Sequence, residues 1–269
     1  MKIALFFVYV LVAVMAALVA HRHWRRRTVV RVSLIVSLPI VLGHALFAIV
    51  PSLPVWLFDY SVYAAVEREL WAPFAVLLFA ALSHTIPAKN RRAMVMMAWV
   101  LVGLVVYTVS WRLVRPDVYD SPNRAGDGVC MQSEDWTCGP ASAVTLLDRM
   151  DIDATEGEMA ERMSATPRWG VSEYSAAHGL QEKLKDEHND GVVRVVFCDV
   201  DTLQTFKTPM LISVKHNFWF NHMVCLLRFN DGGVTLADPL KGTVRMTSDQ
   251  FMKNWLKFAV VIDPAGAPQ

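Results

Sequence analysis

Cys138 has the residue type and the position that nucleophilic chemistry requires. It stands in the segment DWTCGPASA, at the start of a helix that the spacing of Val144, Leu147 and Met150 predicts over 138–150. The N-terminus of a helix stabilises negative charge and therefore the thiolate, which is the nucleophilic form of cysteine. The alternative is a buried thiol that packs as a small apolar side chain.

A nucleophilic thiol needs a base and a group that orients the base, and two predicted strands supply them. His222 opens the apolar strand 222–229, and Asp238 closes the next strand, 233–238. The turn residues between them, FNDGG, predict a hairpin, so the start of one strand meets the end of the other at one edge of the sheet. We therefore expect the imidazole and the carboxylate to lie within reach of each other.

Two further polar residues bear on this arrangement. His216 is the alternative base, but it lacks an aspartate at the end of the strand that follows it. Gln132 precedes Cys138 by six residues and lies in a predicted loop. From that loop its side-chain N–H could bind a developing oxyanion.

The elements that must position these side chains are helices followed by strands, which is typical of an α+β fold. Helices are predicted at 138–150 and after the capping residues Thr155, Ser172 and Thr247. Strands are predicted at 192–198, 209–214, 222–229, 233–238 and 258–263.

The spacing of these residues resembles the double-glycine leader (bacteriocin-processing) cysteine peptidase family, of papain-like fold. The resemblance rests on Gln132, the six-residue step to Cys138-Gly139, His222 at a strand start, the Asp-Pro pair sixteen residues later, and RWGVS at 168–172. It covers about residues 128–263 and implies a papain-like α+β cysteine peptidase domain.

The resemblance also implies a role for each site residue. Cys138 would be the nucleophile, His222 the general base and acid, Asp238 the orienting carboxylate and Gln132 the oxyanion donor. The implied reaction is the hydrolysis of a peptide or protein substrate through an acyl-enzyme, with no metal or nucleotide cofactor. The best-known members of the family precede an exporter with an ATPase in the cytosol, whereas this sequence has no P-loop motif. A different substrate is therefore expected.

The N-terminal half has the composition of a membrane region. Apolar stretches long enough for spans occur at about 3–20, 29–50, 70–86 and 94–114. We therefore predict a four-helix transmembrane region at 1–115, a linker at 116–127 and the peptidase domain at 128–265. The apolar fraction, 54%, with only 19% charged residues, excludes an ordinary single soluble domain.

The charge distribution predicts the orientation of that region. Residues 1–115 hold 12 Lys and Arg against 3 Asp and Glu, a net charge of +9, and the remaining 14 and 22 give residues 116–269 a net charge of −8. Basic loops before the second and fourth spans would be cytoplasmic, which places the C-terminal domain outside the plasma (inner) membrane. The acidic half argues against a nucleic-acid partner. The expected partners are a peptide or protein substrate, membrane lipid and a transporter or secretion system.

Other residues leave alternatives open. His44 and His84 lie in predicted spans and could form a transport or redox site in the membrane, or simply bond to a neighbouring helix. Cys198 and Cys225 could pair in a disulfide, and Cys130 could be sensitive to oxidation. No cysteine and histidine spacing indicates a zinc site. A domain that binds peptides without cleaving them is the alternative to an enzyme.

Overall fold

The computed structural model describes residues 27–50, scattered positions between 53 and 100, and residues 124–264 with gaps at 168–169, 217–220 and 231. The predicted spans 3–20, 70–86 and 94–114 lie wholly or largely outside the described residues, as do His84, the side chain of His44 and the linker up to residue 123. The chain divides into two compact units, of which one contains the helix at 27–49 and the other contains the elements from residue 138 onward.

Helix α1 (Arg27–Ile49) falls on the second predicted span and contains Pro39 in its interior. Several of its large apolar side chains are exposed: Val32, Ile35, Val36, Leu38, Leu42 and Leu46. Of the helices in the described part of the chain, none is long and apolar enough to cross a membrane. The four-helix transmembrane region is therefore not supported by the described residues.

The C-terminal unit has the helices-then-strands order that the sequence predicts. Its helices are α2 (Cys138–Asp148), α3 (Glu156–Arg162), α4 (Glu173–Asp186), α5 (Val200–Thr205) and α6 (Ser248–Asn254). Its strands are β1 (Val192–Phe197), β2 (Met210–Lys215), β3 (Asn221–Asn230), β4 (Gly233–Asp238), β5 (Gly242–Met246) and β6 (Trp255–Asp263). The strands form one sheet in the order β1-β6-β2-β3-β4-β5, with antiparallel neighbours.

Polar side chains begin four of these helices, because a side-chain oxygen can accept from a backbone N–H that has no partner in the first turn. Thr155, Ser172 and Thr247 accept from the backbone three residues ahead, as predicted, and Thr247 forms a complete capping box with Gln250. Asp199 caps α5 in the same way.

The hairpin of β3 and β4 carries half of the candidate site. Asn230 pairs with Gly233 next to the turn, and Cys225 pairs with Ala237. Gly233 has a φ of +110°, and a Cβ there would lie 2.7 Å from the carbonyl oxygen of Met246. Glycine is therefore required at this position, and it helps to fix the register that brings His222 and Asp238 to one end of the hairpin.

Apolar side chains cover both faces of the sheet. One face packs against α5 and α6 through a buried cluster that includes Leu203, Ile212, Leu226, Phe251 and Trp255. On the other side α2 packs on β3, and α4 packs on β1 and β6. The sheet therefore forms a central layer that fixes α2 relative to the hairpin.

Four details differ from the sequence-based expectations. Strand β1 ends at Phe197, so Cys198 lies just beyond it, and α2 ends at Asp148 rather than at residue 150. Helix α5 and strand β5 were not predicted. Both are short, and neither has a strong apolar period: α5 buries only Leu203, and β5 is an edge strand with exposed residues at alternate positions.

Candidate active site

Cys138 is the first residue of α2, and the turn before it is fixed by Thr137. The Thr137 hydroxyl donates to the carbonyl oxygen of Glu134 at 2.9 Å and accepts from the Glu134 N–H at 3.1 Å. Thr137 is fully buried, and so are most of the residues that follow Cys138 in the helix. Cys138 itself is partly exposed and unpaired. The sulfur therefore lies at the N-terminus of a helix, where a substrate can approach it.

Helix α2 is held directly against the strand that carries His222. The Ser142 hydroxyl donates to the carbonyl oxygen of Met223 at 2.9 Å in a buried contact. Gly139 allows the same close approach, because a Cβ at this position would lie 3.2 Å from Cβ of Val171 and 3.4 Å from the sulfur of Met223. Since Met223 follows His222 in the chain, these contacts fix Cys138 relative to His222.

His222 and Asp238 form a buried hydrogen-bonded pair. His222 Nε2 lies 2.8 Å from Asp238 Oδ1, and the two residues are 6% and 7% exposed. The backbone N–H of Leu240 donates to the same carboxylate oxygen at 2.9 Å. The hairpin thus brings together the two residues that the sequence places at adjacent strand ends.

The electrostatics of the pair favour a charged imidazole. Burial lowers the pKa of His222, but its hydrogen bonds to Asp238 and to Cys138 raise it by more, so that the pKa is about 9. Burial raises the pKa of Asp238, and the bonds from His222 and from the Leu240 N–H outweigh it, so that this pKa is lowered. Because Nε2 faces Asp238, Nδ1 is the ring nitrogen left for the Cys138 thiol. His222 therefore bridges the other two residues as an imidazolium at neutral pH.

His216, the alternative base, lies beside His222. The centroids of the two rings are 5.5 Å apart with their planes tilted by 47°. His216 is exposed, and the buried carboxylate of Asp238 bonds to His222. The structure thus places the buried carboxylate on His222, and not on His216.

Gln132 lies next to the turn that follows Asp238. Its backbone N–H donates to the carbonyl oxygen of Pro239 at 3.0 Å, and its side-chain Nε2 donates to the carbonyl oxygen of Glu134 at 2.7 Å. Its Oε1 atom is buried and has no hydrogen-bond partner among the described residues. The loop therefore brings Gln132 to the site, with the amide bonded to a residue just ahead of Cys138.

The other cysteines are free thiols, so the disulfide between Cys198 and Cys225 that the sequence left open does not form. Burial is the main cause that raises the pKa of each, to about 11 for Cys130 and Cys198 and about 12 for Cys225. These thiols are neutral at physiological pH and are poor nucleophiles. In the part of the chain that the structure describes, no group of His, Cys, Asp and Glu is arranged to hold a metal ion.

The structure adds supporting residues that the sequence analysis missed, among them Thr137, Ser142 and Glu156. Glu156 follows the capping residue Thr155, and in the sequence it marks only the start of a helix. Its carboxylate accepts from the Ser133 N–H, beside Gln132. No local pattern marks such a contact, because its partners are 23 residues apart in the chain.

Comparison with known proteins gives one family match and several distant relatives. The Peptidase C39 family matches residues 128–267. An uncharacterized protein of Methanothermobacter marburgensis is 25% identical over 158 residues, which cover 55% of this chain and 96% of the relative. The probable functional amyloid protease FapD of Pseudomonas fluorescens is 26% identical over 133 residues, which cover 48% of this chain and 58% of the relative.

Two solved structures are similar to about half of this chain. A double glycine motif protease from an AMS/PCAT transporter, in complex with its leader peptide, is 20% identical with a TM-score of 0.45, over 54% of this chain and 96% of that one. The peptidase domain of Streptococcus ComA is 18% identical with a TM-score of 0.42, over 50% and 96%. Because the family match extends over more than half of the sequence and includes Cys138, His222 and Asp238, the chain belongs to the Peptidase C39 family and is a cysteine peptidase.

Proposed function

We propose that this protein cleaves a peptide or protein substrate through an acyl-enzyme formed on Cys138, with His222 as general base and acid and Asp238 as the orienting carboxylate. The observation that carries the proposal is the position of His222, whose Nε2 binds Asp238 at 2.8 Å while the ring also bonds to Cys138. A side chain held at both ends in this way can shuttle a proton without reorienting.

The first half of the reaction forms a thioester. The Cys138 thiolate attacks the carbonyl carbon of the scissile bond, which makes a C–S bond and a tetrahedral oxyanion. The backbone N–H of Cys138 and the Gln132 side chain bind that oxyanion. A primary amide nitrogen carries two hydrogens, so the bond from Gln132 Nε2 to Glu134 leaves a second N–H for the substrate. The imidazolium of His222 then protonates the leaving amine as the C–N bond breaks.

The second half releases the acyl group. Neutral His222 accepts a proton from water, and the resulting hydroxide attacks the thioester carbonyl. The C–S bond then breaks, which frees the carboxylic acid and restores the thiolate and the imidazolium. Asp238 keeps the ring in one orientation throughout, because its carboxylate is itself fixed by the Leu240 N–H.

The direct test compares variants on two substrates: a quenched fluorescent peptide with a Gly-Gly cleavage site, and casein as an unselective protein. The peptide carries the cleavage site of the double-glycine leader peptidases that the motif residues resemble, and casein covers the different substrate that the sequence leads us to expect. Cys138→Ala should abolish cleavage, whereas Cys225→Ala should retain it. Full activity in Cys138→Ala would contradict the mechanism. If the wild type binds the peptide but never cleaves it, the domain is a binding module.

We further propose that the N-terminal half anchors the enzyme in the plasma membrane with the peptidase domain on the outer face. The anchoring is supported by the apolar stretches of the N-terminal half and by the exposed apolar side chains of α1. The outer location of the peptidase domain is supported by the basic loops before the second and fourth stretches. Membrane fractions should contain the full-length protein after a carbonate wash. In intact spheroplasts a membrane-impermeant maleimide should label Cys138. Labelling only after lysis would place the domain on the cytoplasmic side.

A further inference from the structure

The loop that carries Gln132 is anchored on both sides of that residue. The N–H of Gln132 itself donates to the carbonyl oxygen of Pro239, and the N–H of the next residue, Ser133, donates to the side chain of Glu156. These two N–H groups belong to the peptide planes that flank the α-carbon of Gln132. When both planes are fixed, the direction of its Cα–Cβ bond is fixed as well.

The contact from Glu156 involves both oxygens of a buried side chain. Both carboxylate oxygens lie within hydrogen-bond distance of the Ser133 nitrogen, Oε1 at 2.9 Å and Oε2 at 3.2 Å. Glu156 is 4% exposed, so its carboxylate has lost most of its hydration and needs a hydrogen-bond donor from the protein. A hydrogen bond to a charged acceptor is stronger than one between neutral groups, so the loop is held firmly at this point.

In the described part of the chain, the hydrogen bonds of the Glu156 carboxylate go to the Ser133 N–H rather than to Cys138 or His222. Glu156 is the first residue of α3, Cys138 is the first residue of α2 and His222 is the second residue of β3. Its connection to the chemistry passes through the Ser133 backbone to Gln132. An oxyanion donor is effective only when its N–H points at the position of the oxyanion, and an error of about 1 Å can cost about 100-fold in rate.

We infer that Glu156 is a positioning residue for the oxyanion donor Gln132, an inference that rests on the proposed function. Its role is to hold the Gln132 amide in the direction that stabilises the tetrahedral intermediate. It leaves substrate binding and the Cys138–His222 pair unaffected, since neither depends on the Ser133 N–H.

The test measures peptide cleavage by Glu156→Ala, Glu156→Gln and the control Glu158→Ala. Glu158 lies on the same helix and forms ion pairs with Arg162 and Lys183, away from the loop. We expect Glu156→Ala to lower kcat by about 10- to 100-fold with little change in KM, because an interaction made only in the transition state is lost. Glu156→Gln keeps an acceptor oxygen and should recover most of kcat. Glu158→Ala should lower the melting temperature and keep kcat.

Two further measurements separate positioning from a general loss of structure. Alkylation of Cys138 by iodoacetamide forms no oxyanion, so its rate should be unchanged in Glu156→Ala. A peptide aldehyde forms a tetrahedral adduct with an oxyanion, so its affinity should fall in parallel with kcat. In the double variant Gln132→Ala/Glu156→Ala, the loss should be about that of Gln132→Ala alone.

Additive losses in the double variant, or equal losses in aldehyde binding and alkylation, would overturn the inference. If Glu156→Ala does not fold, the test uses Glu156→Asp, whose shorter side chain cannot reach Ser133 in the same way. Wild-type kcat together with wild-type aldehyde affinity in this variant would overturn the inference too. The proposed function fails separately, if Cys138→Ala still cleaves the peptide or if the wild type binds it without cleaving it.

Discussion

At the scale of single residues, His222 determines how the other groups of the site behave. It is nearly buried, yet two hydrogen bonds keep its pKa at about 9. The types and spacing of Cys138, His222, Asp238 and Gln132 could be recognised in the sequence because catalytic chemistry restricts residue type. The contacts of Ser142 and Glu156 could not, because many residue types can accept or donate one hydrogen bond to the backbone.

The neighbouring histidines offer a matched comparison. We expect His222→Ala to lower kcat/KM at least about 1,000-fold, because the variant loses both the base and the acid. His216→Ala removes an exposed ring that contacts His222 but leaves the bond to Asp238, so its activity should stay within about threefold of the wild type. The measurement is steady-state cleavage of the fluorescent peptide by both variants. Equal losses of kcat/KM in the two variants would contradict the assignment of His222 as the base.

The raised pKa of His222 predicts the alkaline limit of the reaction. The ring is charged at neutral pH and loses its proton near pH 9, so kcat/KM should fall above about pH 9 as the acid is lost. Asp238→Asn removes the carboxylate that favours the charged ring, and it should move this limit down by about one pH unit or more. A pH profile of cleavage between 5 and 10 measures both effects. An unchanged limit in Asp238→Asn would contradict the role of the carboxylate.

The free energy of unfolding should also depend on the protonation of His222, and it should fall as the ring loses its proton. The pKa of His222 is raised above its value in the unfolded chain, about 6.5, so the charged ring stabilises the folded state fully below that value. This contribution decreases as the pH rises from about 6.5 and is lost at about 9. Urea unfolding of wild type and His222→Ala at pH 6 and pH 10 should show a smaller difference between the two proteins at the higher pH.

At the scale of elements, the helices with a capping side chain and the strands with an apolar run could be predicted from the sequence. The capping residues Thr155, Ser172 and Thr247 each act as expected. Helix α5 and strand β5 could not be predicted in this way, because each is stabilised by packing against the sheet or by pairing with β4 rather than by its own period. The contacts between helices could not be predicted from the sequence either.

Gly179 shows how closely two helices approach. A Cβ at this position of α4 would lie 2.6 Å from Cγ of Met163 and 2.8 Å from the Met163 backbone nitrogen, just after α3. Gly179→Ala should therefore lower the free energy of unfolding by about 1–3 kcal/mol, despite the better helix propensity of alanine. Gly126→Ala, with nothing within 4 Å of the added atom, serves as the control. Urea midpoints measure both, and equal midpoints would contradict the predicted clash.

At the scale of the whole molecule, the four thiols of the peptidase domain differ in their surroundings. Cys130 and Cys225 are buried, Cys138 and Cys198 are partly exposed, and burial raises the pKa of Cys130, Cys198 and Cys225 well above the physiological range. In the folded protein at pH 6.5, iodoacetamide should modify Cys138 much faster than the others, and in denaturant all four should react at similar rates. Peptide mass spectrometry quantifies each site. Rapid modification of Cys225 in the folded protein would contradict its burial.

The division of the site between a hairpin and a helix has a consequence for the newly made chain. His222 and Asp238 lie on one hairpin and can meet early, whereas Cys138 lies far upstream and reaches them only when α2 docks on β3 through Ser142 and Gly139. Until then the sulfur is an ordinary thiol without a partner for its proton. The enzyme is therefore expected to be inactive while it folds. Peptide cleavage begins only when the domain is compact, and a compact domain is itself a poor substrate for proteolysis.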